Sequence, residues 1–334
     1  MNCRYGNITL MAIKEAAAFL RNNDNFLLTS HVNPDGDGVG SILGLAGLLR
    51  QMGKTFHVVF ADPPQDKLGF LHAYDIIETF GESMKGRTSF DAAVVIDSPH
   101  MDRVGSTVSL LKKGAPLLVI DHHISCENFG TVNLVMPEAA ASAQIVAMLY
   151  DELGKTFDAN SAEALYVGLS IDTGRFRFSN VTAAVFRLAA RLVEAGAAPD
   201  IIADLLYYND PIETKIGLAK VIESIELHNG GKAATAWLDF DFMSSETGKK
   251  MDDEGFVNQP LAIKGVETAF LIREKEKGKL RISLRSRTDN VDVNKLAEKF
   301  GGGGHARASG CRMEGVSIAE AKKLLLAELD DAGK

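Results

Sequence analysis

Three short apolar runs each end on a residue able to ligate a metal ion: Phe26 to Ser30 lead to His31, Ala93 to Ile96 to Asp97, and Leu117 to Ile120 to Asp121-His122-His123. Continuous apolar runs of this length, separated by stretches with helical spacing, are the mark of parallel strands buried on both faces. In an open α/β sheet, ligands bind outside the carboxyl ends of the strands, so the three endings predict one shared site. The first run continues Val32-Asn33-Pro34-Asp35-Gly36-Asp37-Gly38. The predicted sheet edge thus holds three imidazoles, His31, His122 and His123, and four carboxylates, Asp35, Asp37, Asp97 and Asp121. Carboxylates crowded that closely repel one another unless cations sit between them.

Taken singly, each feature has a plainer explanation. Asp37 stands where the N-cap of a helix over Val39–Met52 belongs, and a His pair is ordinarily a partly buried, hydrogen-bonded surface feature. The same residue types close three separate strands, which weighs against coincidence. Mixed oxygen and imidazole donors suit Mn²⁺, Mg²⁺, Fe²⁺ or Co²⁺, whereas structural zinc wants closely spaced cysteines. The three cysteines, Cys3, Cys126 and Cys311, form no such pair and, being odd in number, no disulfide framework. Seven candidate ligands exceed the needs of one ion. A carboxylate bridging two ions about 3.5 to 4 Å apart is the usual arrangement in hydrolases of phosphate esters, so two ions per chain are expected.

With 334 residues, of which 46% are hydrophobic, the chain can bury a sizeable core and should form two domains. No apolar run reaches the roughly 20 residues of a membrane span. Met1 to Leu20 carries Lys14 and Glu15 inside its only apolar stretch, a poor secretory signal and a better first helix over 8–21. The expected setting is cytoplasmic. A net charge of −8 argues against tight binding of long nucleic acid, which depends on many phosphate contacts.

Strand and helix signals alternate from residue 26 to about 190, predicting a doubly wound, mainly parallel α/β domain over 1–205. Thr55–Phe60 reads as a strand, and Val39–Met52, Ala139–Leu153, Ala159–Leu169 and Val181–Gly196 as helices. Asp172, in Asp172-Thr173-Gly174, offers one more carboxylate, although a turn residue bonded to its own backbone is equally consistent with its place. A helical connector is expected over 206–230 and a smaller α+β domain over 231–334. There Ala233–Asp239, Glu267–Glu274 and Lys279–Arg287 read as strands, the last two joined as a hairpin through Lys275-Glu276-Lys277-Gly278.

On the last of these strands the odd positions Lys279, Arg281, Ser283, Arg285 and Arg287 share one face and Leu280, Ile282 and Leu284 the other. A solvated outer face explains Lys279 and Arg281 equally well. Next comes Phe300-Gly301-Gly302-Gly303-Gly304-His305-Ala306-Arg307. Four successive glycines serve close backbone approach or positive φ. Their N–H groups are expected to form an anion nest beside His305 and Arg307, a phosphate or nucleotide contact in preference to a flexible linker.

The set His31-x-Asn33-Pro34-Asp35-Gly36-Asp37, Asp97, Asp121-His122-His123, Asp172-Thr173-Gly174 and Gly301–Gly304-His305 resembles the DHH phosphoesterase superfamily with its DHH-associated C-terminal domain. Order and spacing fit over nearly the whole chain. Length and layout are similar to the stand-alone nanoRNase and 3′-phosphoadenosine-5′-phosphate phosphatase group. The resemblance implies an active site in the interdomain cleft. It implies that His31, Asp35 and Asp97 hold one Mn²⁺, that Asp37, Asp97, His122 and Asp172 hold the other, and that Asp97 bridges. Asp121 would orient an imidazole and His123 would face the scissile phosphate. Arg103, Arg285, Ser286, Gly302, Gly303, Gly304, His305 and Arg307 would bind substrate. Cys126 departs from the pattern, standing where a small polar residue, often Asn, is expected, and His100 follows Asp97 where relatives vary.

The activity implied is Mn-dependent hydrolysis of oligoribonucleotides two to five residues long, and of 3′-phosphoadenosine-5′-phosphate. Cyclic and linear dinucleotides are the alternative substrates. An inorganic pyrophosphatase would not need the glycine-rich loop or a nucleotide-sized second domain. A RecJ-like exonuclease would want further binding domains and a more basic groove. A non-catalytic nucleotide sensor would be expected to have lost ligands, and none is missing. No long nucleic acid and no membrane is expected as a partner; a homodimer is compatible with the resemblance.

Overall fold

The structure is a computed structural model that describes residues 7–84, 90–288 and 290–332; Cys3 lies outside them. Contacts divide the chain into two units, Met1–Tyr208 and Asn209–Lys334. The first runs α1 (Asn7–Asn22), β1 (Phe26–Thr29), α2 (Gly36–Gln51), β2 (Phe56–Phe60), β3 (Ile77–Thr79), β4 (Ala92–Ile96), β5 (Leu117–Asp121), β6 (Val132–Val135), α3 (Ser142–Glu152), α4 (Ala159–Asp172), α5 (Ala183–Glu194) and α6 (Pro199–Tyr207).

Its six strands form one parallel sheet in the order β3-β2-β1-β4-β5-β6. Every residue of β1, β4 and β5 is buried, as their uninterrupted apolar sequences require. The order reverses between β1 and β4. Connections leaving a sheet in opposite directions at such a point open a crevice beyond the strand ends, and His31 and Asp97 follow those two strands. Phe26, Leu28, Val94 and Ile96 join the helices in the main core. Leu27, Ala93, Val95 and Val119 face a smaller cluster with Val104 and Leu110. The α/β expectation holds with one difference: among the described residues this second face is covered by 3₁₀ turns over Met101–Leu110 instead of an α-helix. Gly105, at φ 71, breaks that segment.

Helix α2 is buried from Gly36 to Leu49. It lies close against α4 because glycines recur on one side of it: a Cβ on Gly40 would stand 2.3 Å from the Ala164 carbonyl oxygen, and one on Gly44 2.5 Å from Leu165. The helix also begins three residues before the expected Val39. Its N-cap is Asp35 and not Asp37, since Asp35 Oδ1 accepts from the Asp37 and Gly38 amides at 3.0 and 3.1 Å. Asp37 is thereby carried into the first turn, wholly buried.

The second unit comprises α7 (Ile212–Glu223), β7 (Glu226–His228), β8 (Ala233–Leu238), α8 (Phe240–Ser244), α9 (Glu246–Lys250), α10 (Asn258–Leu261), β9 (Thr268–Glu276), β10 (Lys279–Ser286), α11 (Val293–Glu298), β11 (Gly303–His305), β12 (Ala308–Glu314) and α12 (Ile318–Ala332). The helix expected as a connector, α7, falls within this unit. The sheet order is β11-β12-β10-β9-β8-β7, with β8 and β9 parallel and the other pairs antiparallel. The expected β9–β10 hairpin is present and turns at Gly278, φ 76. Leu280, Ile282 and Leu284 enter a core with α11 and α12.

The glycine-rich segment departs from expectation. Gly303, Gly304 and His305 form strand β11 against β12 instead of continuing an open anion-cradling loop. Close approach explains the glycines: a Cβ on Gly302 would lie 2.2 Å from the Gly310 carbonyl oxygen, and one on Gly304 2.6 Å from that of Ala308.

Candidate metal centre and substrate-binding face

The residues that follow β1, β4 and β5 converge. One donor set is His31, Asp35 and Asp97; a second is Asp37, His122 and Asp172, the donor atoms of each set lying within 4.8 Å of one another. Asp97 stands beside both, with Oδ2 3.6 Å from His31 Nε2 and Oδ1 3.5 Å from His122 Nε2. Asp172, undecided from spacing alone, closes the second set at 3.0 Å from His122 Nε2. Helix α4 delivers it as its last residue.

Backbone and neighbouring groups fix these donors. His31 Nδ1–H donates to the Val32 carbonyl oxygen at 2.8 Å, which leaves Nε2 as the donor facing Asp35 and Asp97. Asp37 receives the amides of Ser142 at 2.6 Å and Ala143 at 3.0 Å, so the start of α3 holds a carboxylate, while the Ser142 hydroxyl donates to Asp97 at 3.2 Å. Asn180 ties the Asp172 carbonyl oxygen to that of Ala140. Ser142 and Asn180 escaped the sequence reading. A serine at a helix start is the signal for the first; the second has no local signal.

A third donor group, within 4.8 Å, joins His123 to Asp97 and His122, but the His123 ring is also held by Asp121. Its Nδ1–H donates to Asp121 Oδ1 at 2.7 Å, and that oxygen also accepts the His122 and His123 amides. His123 Nδ1 lies 3.7 Å from Asp97 Oδ1 and is engaged by Asp121 at 2.7 Å. Arg103 adjoins the first set, its Nη2 3.5 Å from His31 Nδ1 and its carbonyl oxygen accepting from the Val32 amide.

The electrostatics show what this cluster is suited to hold. Burial pushes Asp37 well above the usual carboxylate range, and the Asp172 and Asp97 charges push it further. Burial and the Asp35 charge outweigh the His122 hydrogen bond and raise Asp172 to about 6. Burial lowers His31 and His122, but hydrogen bonds to Asp35 and Asp97 for the one, and to Asp172 for the other, raise each to about 10. Asp37 and Asp172 therefore resist ionisation, whereas at Asp35 burial is outweighed by the His31 hydrogen bond and charge and by the Gly38 and Asp37 amides, which lower it to about 2, and the imidazoles are drawn toward positive charge. A multivalent cation relieves both tendencies, and oxygen with imidazole donors suits a hard or borderline divalent ion. The donor sets fit.

The remaining predicted residues gather in the second unit at the meeting of β10, β11 and β12. Arg285 and His305 each pair with Ala308, and the Ser286 amide donates to the Arg307 carbonyl oxygen at 3.0 Å. Arg285 is partly buried and donates to the Leu284 carbonyl oxygen. Burial lowers its pKa, and the Arg273 charge adds to the effect. The Ser286 hydroxyl is buried and donates to the Thr288 carbonyl oxygen. Arg307 is exposed, and its Nη1 reaches the Arg287 carbonyl oxygen.

This chain matches the DHH family, N-terminal domain, over residues 25–169 and the DHHA1 domain over residues 242–333. The bifunctional oligoribonuclease and PAP phosphatase NrnA of Thermus thermophilus is 33% identical over 299 residues, covering 90% of this chain and 87% of that protein. The protein of the same name in Bacillus subtilis is 28% identical, with 90% and 93% covered. An exopolyphosphatase-related protein from Bacteroides fragilis superposes with a TM-score of 0.89 at 25% identity, over 97% of each chain. RecJ of Thermus thermophilus, at TM-score 0.55 and 15% identity over 96% of this chain and 55% of its own, shares the fold. Hydrolases of phosphate esters are the class so defined. The chain belongs to the DHH family of phosphoesterases.

Proposed function

We propose that this phosphoesterase hydrolyses short oligoribonucleotides, two to five nucleotides long, and 3′-phosphoadenosine-5′-phosphate. The observation that carries the reading is the pair of donor sets that share Asp97, which suits two Mn²⁺ ions, one held by His31, Asp35 and Asp97 and the other by Asp37, Asp97, His122 and Asp172. When bound, such ions supply positive charge for the phosphoryl oxygens and make a water molecule acidic enough to deprotonate near neutral pH.

The protein's own groups divide the remaining work. Asp121 fixes the His123 ring by its Nδ1–H, so that Nε2 is placed to donate to a phosphoryl oxygen as charge builds there. Arg103, beside His31, supplies a planar fork for the same phosphoryl group. In the second unit, Arg285, Ser286, His305, Arg307 and the strand Gly303–His305 bind the substrate's other phosphate or nucleoside. Free thiols at Cys126 and Cys311 accord with a reducing compartment, and we place the enzyme in the cytoplasm.

A second substrate class has support from a relative: the cyclic-di-AMP phosphodiesterase PdeA of Listeria monocytogenes is 27% identical over 92% of this chain and 48% of its own length. One assay separates the readings. With Mn²⁺ present, kcat/KM is measured for a ribodinucleotide, a ribotetranucleotide, cyclic-di-AMP and 3′-phosphoadenosine-5′-phosphate. The linear RNAs and 3′-phosphoadenosine-5′-phosphate should lead. A clear preference for cyclic-di-AMP transfers the assignment to the second class.

A further inference from the structure

On one face of the second sheet, covered over β8 and β9 by the core of Leu238, Met243, Phe256 and Leu271 and open over β10 and β12, the register places three arginines in one row across three strands. Arg281 of β10 is directly opposite Arg273 of β9 on one side and Arg312 of β12 on the other. Directly opposed residues share a face with Cβ atoms about 5 Å apart, and like charges in that relation are destabilising. The Arg281 charge does lower the pKa of Arg273, second to Arg273's own burial and against the pull of Asp253.

The row is only partly neutralised. Arg273 is 4% exposed and reaches Asp253 at 2.8 Å, yet its Nε is buried with no hydrogen-bond partner. Among the described residues no carboxylate pairs with Arg281 or Arg312, both of which are exposed. The next row outward behaves differently: Lys279 lies between Glu276 and Glu314 and bonds Glu276 at 2.6 Å. Toward the other end of the strands the face is small. Ser283 lies opposite Gly310, and Gly310 opposite Gly303, before Arg285 is reached. From Arg281 to Arg285 along the strand is about 13 Å, roughly two steps of an extended single strand.

We propose that Arg281 and Arg312, supported by Arg273, form a second phosphate subsite that takes the backbone phosphate of a nucleotide lying beyond the one contacted by Arg285. It rests on the oligonucleotide reading above and adds a length preference to it. Between the two cationic ends lie the small residues Ser283, Gly310 and Gly303, and Arg273 Nη2 donates to the Ser283 hydroxyl, so the row and this platform adjoin. A substrate that ends at the nucleotide contacted by Arg285 leaves the row empty, whereas one about two nucleotides longer reaches it, and on this proposal those are the dinucleotide and the tetranucleotide.

The test is the double variant Arg281→Gln/Arg312→Gln in the full Mn²⁺-loaded protein, with a ribodinucleotide and a ribotetranucleotide as substrates. Both side chains are exposed, so thermal unfolding should match the parent. Expected is about a tenfold fall in kcat/KM for the tetranucleotide, carried by KM, and a log–log salt dependence shallower by about one to two. Dinucleotide hydrolysis should stay within twofold, and Arg281→Lys/Arg312→Lys should restore much of the loss. Equal effects on both lengths, or none on either, overturn the subsite. A parent protein that cleaves neither RNA overturns the functional reading itself, a separate and recognisable result. Linear polyphosphate hydrolysis that alone depends on the two arginines overturns the nucleotide assignment.

Discussion

Asp97 occupies φ 62, a left-handed conformation that costs a residue with a Cβ about 1 to 2 kcal/mol. It turns the chain sharply after β4 so that one carboxylate stands beside both His31 and His122. Asp97→Ala should therefore be the most damaging single ligand change, lowering kcat by more than about 10³-fold and the metal content by at least one ion. Near-normal turnover would remove the bridge. The two histidines should separate: His122→Ala loses metal, whereas His123→Ala keeps it and loses about 10² to 10⁴-fold in kcat. Asp121→Asn should follow His123→Ala more mildly, by about 10 to 100-fold, because it acts through that ring. Equal metal loss in both histidine variants would show that they share one role. At this scale much was legible, because chemistry-bearing residue types at strand ends mark a site in any parallel sheet. The groups that fix the ligands were not legible: Ser142 and Asn180 act through an amide and a carboxamide whose position depends on the packing of distant helices.

Helix α2 shows how an element can be present in the pattern and misjudged in detail. Its apolar run was clear, but Gly36-Asp37-Gly38 reads as loop until Asp35 is seen to cap it, and the cap is what buries Asp37 against α3. The recurring glycines are a packing device against α4. Gly40→Ala should destabilise the first unit by about 1 to 3 kcal/mol, since its Cβ would meet backbone that cannot yield. Gly44→Ala should cost less, as the Leu165 side chain can rotate away. Melting temperatures of the two variants check the order, and a larger loss for Gly44→Ala would mean that α2 shifts as a body. The short edge strand Gly303–His305 was illegible for the opposite reason: glycine has low strand propensity, and only the backbone of β12 makes an extended course favourable there.

For the molecule as a whole, the sequence pattern pointed to a parallel α/β unit followed by a smaller α+β unit, although only β10 and β12 of the second sheet alternate strictly and β8 and most of β9 are continuous buried runs like those of the first. The pattern could not say that α7 folds with the second unit, since an amphipathic helix carries no mark of which core it joins. Two units with separate cores allow chemistry and substrate recognition to be assigned to different parts of one chain. The candidate metal donors all belong to the first unit, whereas Arg285, His305 and Arg307 belong to the second. Arg307→Ala should therefore raise KM for a ribodinucleotide by about tenfold, the loss of one charge-assisted contact of about 1.5 kcal/mol. Hydrolysis of a nitrophenyl phosphate ester, too small to need that contact, should be unchanged. A parallel decline for both substrates would place Arg307 in support of the fold or the metal centre, and no change in either would remove it from recognition. Because the prediction compares two substrates on one protein, differences in expression or metal loading cancel, and the ratio alone reports whether the second unit measures what the first one cuts.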